Sequence, residues 1–387
     1  MVIRSLRPVL MALAAFAVCA SPGRGADKLE RVVLQLPYTH QFQFAGYYAA
    51  QAKGYFAAEG LEVELREGGY TRRPYSELTA GRAEYGIGSA TYLLDRLNGA
   101  PLVLVTTVYQ HSLLALMVRA DSDIRAPEDL RGKRLAAGSS GRYPEIAAMF
   151  AAEGLPPDAY VRVEDKWDVD EILTGAADAQ AVFITDLPFD MQQKGVAVRL
   201  IRPADYGVDF YGDGLFTTET ELARHPGRVA AMRRAVLRGW EYALDHPEEM
   251  IDYIVTHFPG RPAKVTRERL RYEARQTARQ INADLLELGH VNPERWRRAA
   301  ETFVQLGMAK DLKRLQGFIA PAGGAPWRCP RGCYGAAAAC CCWPCWRCWP
   351  TGACSAWWSA ARRSCRRRSS ASARSSTWRR PRSWWRT

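Results

Sequence analysis

The stretch Phe44-Ala45-Gly46-Tyr47-Tyr48-Ala49-Ala50-Gln51-Ala52-Lys53-Gly54-Tyr55-Phe56-Ala57-Ala58-Glu59-Gly60-Leu61-Glu62-Val63-Glu64-Leu65-Arg66 changes character once, at Gly60. Residues 44–58 read as a helix interrupted near Lys53-Gly54, since glycine weakens a helix interior. Residues 61–66 alternate apolar and charged side chains, the period of a strand with one buried face, and run out in Gly68-Gly69. Upstream, residues 28–36 alternate and carry β-branched side chains, which predicts a strand, with 37–43 as the loop between. The unit is therefore strand, loop, helix, strand.

Working outward, the unit recurs. Residues 85–88 predict a short strand, 89–98 a helix and 102–109 a buried strand. A second series begins with the apolar 113–118. It continues through a strand at 134–137, the turn Gly138-Ser139-Ser140-Gly141, a helix at 144–153, and alternating elements at 160–163, 168–175, 181–185, 187–194 and 196–201. Alternating β and α predict parallel sheets flanked by helices. Past Pro203 the period becomes helical: Val229, Met232, Val236, Trp240 and Ala243 form one stripe, and helices follow to about residue 315. The expected fold is α/β. One lobe comprises 27–112 and 206–319, the other 113–205, with a ligand cleft between them at the carboxyl ends of the strands.

The chain has 387 residues and a formal charge of +12, but the charge is not evenly spread. Residues 320–387 hold 13 Arg and no acid, so removing them leaves −1 for residues 1–319. A nearly neutral body argues against nucleic acid as a partner. Nine of the ten Cys also lie in the tail, and the tenth is Cys19. Residues 1–26 read as a secretory signal: Arg4 and Arg7, then an apolar run from Pro8 to Ala20 that is too short to span a bilayer, with small residues before Ser21. A lipoprotein Cys19 or an N-terminal anchor are the alternatives. The expected location is periplasmic or secreted after cleavage.

The tail lacks Leu, Ile, Val, Met and Phe, so it has no means of building a core. Its Cys340-Cys341-Cys342, Cys345 and Cys348 carry no His or acid beside them, and adjacent cysteines converge poorly on one tetrahedral metal. Codons for such a Cys/Trp/Pro/Arg run, shifted by one base, encode Leu and Ala. The tail is therefore read as an out-of-frame, disordered rendering of a membrane anchor, which would leave the protein membrane-anchored in the intact frame. A genuine basic tail is the alternative.

No hydrolase elbow, zinc-protease helix or phosphate loop is present, and none of the six His has a partner at metal-ligand spacing. No catalytic residue, metal or cofactor is assigned. Aromatic residues concentrate instead in predicted loops: Tyr38 and Phe44 after the first strand, with Tyr47 one turn into the helix, and Tyr206, Phe210 and Tyr211 in the segment 206–213, which also holds two acids. Flat faces beside acceptors suit a small planar ligand carrying amines, although each ring also serves to pack lobe against helix. Gln41, Ser89, Ser139, Ser140 and Asp186 supply polar contacts in this reading. The Gly-Ser turns present backbone N–H groups and hydroxyls at helix starts, or are ordinary turns and caps. Asp186 pairs with a ligand amine or caps the helix after it.

The 44–56 motif with Glu59-Gly60-Leu61, then Leu130-Arg131-Gly132-Lys133, and then 206–213 with Leu215-Phe216-Thr217-Thr218-Glu219, resembles the SsuA/ThiY-like solute-binding family over about 30–319. The resemblance implies a periplasmic-binding-protein type II fold. It also implies a thiamine-precursor pyrimidine, an alkylsulfonate or a similar ligand, and closure about the strands near 112 and 205. The partner is either an ABC permease or the chain's own membrane-anchored signalling domain, a sensor. The family also includes thiamine pyrimidine synthase, the alternative activity. Its cofactor lysine and sacrificial histidine correspond here to Gly88 and Tyr92, and its iron-binding Cys motif has no counterpart in the body, which argues against that chemistry.

Overall fold

Among the described residues ten strands form two separate sheets: β1 (Glu30–Gln35), β2 (Leu61–Arg66), β3 (Tyr85–Gly88), β4 (Leu102–Thr107), β5 (Leu114–Arg119), β6 (Arg134–Ala136), β7 (Val161–Val163), β8 (Ala179–Phe183), β9 (Val198–Ile201) and β10 (Gly214–Thr218). The computed structural model describes residues 29–69, 71–137, 143–156, 158–258 and 265–321. The leader, the 138–141 turn and the tail from 322 onward lie outside the described residues, and the sequence expectations on them stay expectations.

The first sheet has the order β2-β1-β3-β10-β4 and the second β7-β6-β8-β5-β9. The chain passes from one to the other twice, through 108–113 and through 202–213. This is where the expectation of parallel sheets fails. β10 pairs antiparallel with β3 and β4, and β5 pairs antiparallel with β8 and β9. Both are the first strand after a crossing, so they enter the sheet from the opposite end and run against its direction. The β–α–β units between them stay parallel, as β1 does with β2 and β3, and β6 with β7 and β8.

The helix that opens the chain's characteristic stretch is Ala45–Ala52, preceded by a 3₁₀ turn at Phe42–Phe44 and followed by Tyr55–Ala58. The break at Lys53-Gly54 is real: Gly54 takes φ +69, a left-handed conformation that glycine adopts without a Cβ clash. Gly46 answers to a different constraint. A Cβ there would lie 2.2 Å from the Trp240 ring, and one at Gly239 would lie 2.1 Å from the Gly46 carbonyl oxygen. Helix Ala45–Ala52 and helix Pro226–Asp245 therefore cross in close contact, two glycines deep. The predicted stripe Val229, Met232, Val236, Trp240 and Ala243 is buried along that helix, in the core that also holds Leu34, Tyr48 and Ile87. His225 and His246 stand exposed immediately before the helices Pro226–Asp245 and Pro247–His257, each opened by a proline at its first position. Among the described residues no helix is long and apolar enough to cross a membrane.

Candidate functional site: a polar floor under an aromatic row

The carboxyl ends of β1 and β8, the two crossing segments and the start of helix Pro144–Ala152 meet around one side chain, Gln43. Its amide nitrogen donates to Asp213 Oδ2 at 2.6 Å, and its amide oxygen accepts from the Thr185 hydroxyl at 3.4 Å. Its backbone carbonyl accepts from the Tyr109 hydroxyl at 2.8 Å. Thr185 follows β8 in the second sheet, while Gln43 follows β1 in the first, so one glutamine spans both lobes. Beneath it the crossings are bonded side by side: the Asp213 carbonyl accepts the amides of Val108 and Tyr109, and Gly212 N–H donates to the Tyr109 carbonyl.

Two carboxyls face this floor. Burial pushes Asp213 up to about 6, against the pull of its Gln43 hydrogen bond. Burial pushes Glu145 up to about 7, opposed by its own backbone N–H and the Ser112 hydroxyl and reinforced by the charge of Asp213. Burial first, then the charges of Asp213 and Asp186, raises the Tyr38 phenol and keeps it neutral, against the pull of a Gln43 hydrogen bond. The floor thus offers carboxyls that take or give a proton near neutrality, an amide and phenols, all within a low-dielectric surround.

Above the floor runs a row of rings. Trp167, Phe183, Tyr38 and Phe44 succeed one another with centroids 6.4, 6.1 and 5.4 Å apart. Trp167 and Phe183 come from the second lobe and Tyr38 from the first, and all three are only partly buried. Trp167 has φ +62, one of two non-glycine residues with positive φ among the described residues, which costs about 1–3 kcal/mol. Its loop is pinned from beneath. Buried Gln180 donates to Asp165 Oδ1 at 3.2 Å and to the Asp168 carbonyl at 2.9 Å; Asp165 Oδ1 also accepts from Trp167 N–H, and Glu171 accepts from Lys166 N–H.

The lobes are clasped a second time beside the row. Arg269, only 3% exposed, donates to Asp186 at 2.8 Å, also pairs with Asp190, and stacks over Phe189 at 5.0 Å. Tyr272 donates to the Ile184 carbonyl at 3.0 Å.

Of the residues singled out from the sequence, Tyr38 stands in the row with Phe44 buried behind it, and Asp186 flanks it in the Arg269 clasp. Gln41 lies on the same loop, its amide 3.4 Å from that of Gln43. Ser89 follows β3, its hydroxyl 3.3 Å from that of Thr91. Ser139 and Ser140 lie outside the described residues. Four rings sit elsewhere. Tyr47 is buried edge-on to Trp240, and Phe210 is buried edge-on to Phe303. Tyr211, 2% exposed, stacks on Trp296 at 4.9 Å beneath Arg295 and accepts the Asn292 amide. Tyr206 packs against the second lobe's core, with Glu128 and Glu153 nearby. Gln43 and Asp213 stood within the loops 38–44 and 206–213 without a role of their own, and Glu145, Thr185, Phe183 and Trp167 were assigned none. Trp167 alone carried a usable signal, a lone Trp inside the polar loop Glu164-Asp165-Lys166. The floor residues carried none, because no spacing rule links positions 43, 145, 185 and 213.

Residues 41–250 match the family described as NMT1/THI5 like. The chain belongs to that family. This NMT1/THI5-like chain is 29% identical to the riboflavin-binding protein RibY of Chloroflexus aurantiacus, over 63% of this chain and 72% of RibY. It is 26% identical to the formylaminopyrimidine-binding protein of Halalkalibacterium halodurans, over 64% and 77%. Identity to a 4-amino-5-hydroxymethyl-2-methylpyrimidine phosphate synthase of Candida albicans is 23%, over 52% and 64%. Among solved structures, the alkanesulfonate-binding protein SsuA of Xanthomonas axonopodis bound to MOPS superposes with a TM-score of 0.59 at 13% identity, covering 76% of this chain and 98% of SsuA. The periplasmic aliphatic sulphonate binding protein SsuA of Escherichia coli gives 0.57 at 15%, over 75% and 97%. With the two sheets and their double crossing, these likenesses show the periplasmic-binding-protein type II fold.

Proposed function

We propose that the chain is an exported solute-binding protein that closes its two lobes on a flat heteroaromatic ligand bearing a pyrimidine ring, for delivery to an ABC-type permease. The observation that carries this reading is the Trp167–Phe183–Tyr38 row lying across the junction of the lobes, over a floor of neutral-capable carboxyls and amides. A ring slotted against such a row gains stacking and area burial, and its edge meets both donors and acceptors. The two binding-protein relatives support the ligand class: by their names they bind riboflavin and a formylaminopyrimidine, and both molecules contain a pyrimidine ring.

Binding without bond-making is supported by Gly88. A Cβ there would lie 2.5 Å from the Tyr92 ring, so that position has no room for a longer side chain while Tyr92 stands where it does. A membrane-anchored sensor whose own signalling domain follows the tail is the second arrangement compatible with the sequence.

The test is calorimetry on the full chain with three probes: a formylaminopyrimidine, riboflavin and an alkanesulfonate. Saturable binding of either pyrimidine-containing probe, abolished in W167G/Y38A, supports the reading. Binding of the alkanesulfonate alone, or pyridoxal- and iron-dependent turnover, overturns it.

A further inference from the structure

A cavity of about 410 Å³ lies beside the crossing segments, its wall carrying His111, Arg202, Asp205, Asp209, Arg279 and Gln280. The charges on its wall are unequal in their commitments. Asp209 is already committed, paired with Arg295 at 2.9 Å and in hydrogen-bond contact with the His111 imidazole at 2.9 Å. Asp205 stands exposed at the mouth. Arg202 is half-buried and Arg279 exposed, and neither has a carboxylate within ion-pair distance among the described residues. The flank is richer still in positive charge: Arg275 lies one turn before Arg279 on the same helix, and Arg202, Arg275 and Arg279 all act on Tyr272.

Guanidiniums gathered at one cavity repel one another, and Arg275 with Arg279 at one-turn spacing repel further. Elsewhere in this protein the half-buried Arg228 is paired with Glu221, and the buried Arg269 with Asp186. An oxyanion between two planar guanidiniums removes that repulsion and accepts two forked pairs of hydrogen bonds. The Gln280 and Ser112 side chains add polar contacts, and Leu114, Pro203 and Val208 give one apolar wall for the body of a small molecule.

We propose that this cavity is a second ligand site, separate from the cleft, that takes a small organic oxyanion through Arg202 and Arg279. Its walls come from both crossing segments and from helix Arg267–Ile281, the helix that carries the Arg269 clasp. An anion seated there braces the connection between the lobes. The site does not depend on the identity of the cleft ligand.

The experiment uses the full chain, with inorganic phosphate and benzoate as probes at constant ionic strength, followed by calorimetry and by the shift in thermal midpoint. Saturable binding of at least one probe is expected, weakened about tenfold or more in R202Q/R279Q by the loss of charge-assisted hydrogen bonds. Preference for benzoate assigns a carboxylate with an apolar body; preference for phosphate assigns a phosphate group. Because neither arginine has a carboxylate partner and their removal relieves mutual repulsion, the variant's own midpoint should be no lower than the parent's, and its affinity for the cleft ligand in the absence of anion should be unchanged. No saturable binding of either probe, or equal affinity in parent and variant, overturns the proposal. An R269A variant that retains anion binding while losing the clasp shows that the cavity, not the cleft, is being read.

Discussion

Two aromatic loops in this protein look alike in sequence and are taken up differently by the fold. The loop after β1 carries Tyr38, Phe42 and Phe44; the crossing before β10 carries Tyr206, Phe210 and Tyr211. In the first, Tyr38 stays partly exposed and meets Phe183 of the other lobe. In the second, Phe210 and Tyr211 are taken up by Phe303 and Trp296, on a helix some 80 to 90 residues further along the chain. Ring content does not separate a loop that leaves a ring half-open at the lobe junction from one whose neighbouring pair of rings is buried. What separates them is whether a later element arrives with rings of its own to cover them, and the helix Pro293–Gln305 does so only for the second loop.

The largest effect that would break this comparison is on stability. Tyr211→Ala should cost about 3–5 kcal/mol, read as a drop in denaturant midpoint, because it removes a fully buried ring from a stack and strands the Asn292 amide. Tyr38→Ala should cost only about 1 kcal/mol of stability yet weaken cleft-ligand affinity about tenfold or more. The reverse pattern would interchange the two loops.

Trp167→Gly sharpens the contrast within the binding row. Glycine releases the left-handed strain of about 1–3 kcal/mol, while the lost ring gives up packing of about 1.5–3 kcal/mol. The two nearly cancel, so the melting midpoint should barely move while ligand affinity falls. A large destabilisation would place Trp167 with Tyr211 as a packing residue.

The smallest effect is on pH dependence. Asp213 and Glu145 are raised from 3.8 to about 6 and from 4.5 to about 7 in the folded chain. The folded state therefore holds protons that the unfolded state has released. Their contribution is most favourable below pH about 4, and stability falls as pH rises through 6 and then 7. In D213N/E145Q that part of the slope should vanish, measured as the difference in unfolding free energy between parent and variant from pH 4.5 to 8. A parallel pair of curves would show that the floor carboxyls are ionised and solvated.

Much of the fold was legible because it rests on short-range rules. The helix break at Gly54 follows from a residue lacking a Cβ, and the alternation at residues 61–66 from a two-residue period. The stripe from Val229 to Ala243 follows from helical spacing. The reversed direction of β5 and β10 was not legible, since a strand's own pattern is the same whichever way its neighbours run. Near the lobe junction, the structure places Tyr38 and Asp186 in loops at strand ends as the sequence suggested, whereas Gln43, two residues from the chosen Gln41, had been given no role of its own. Its role comes from Asp213 and Thr185, 170 and 142 residues away.

The amino-acid order alone determined that this chain builds α/β units and which helix face is buried, because those follow from periods of two to four residues and from glycine's freedom at φ > 0. It also carried the motif that places the chain in its family. Only the tertiary structure decided which rings are left half-open at the lobe junction and which carboxyls are stripped of water. Exposure and dielectric are properties of what packs on top, and that is contributed by residues the local pattern never sees.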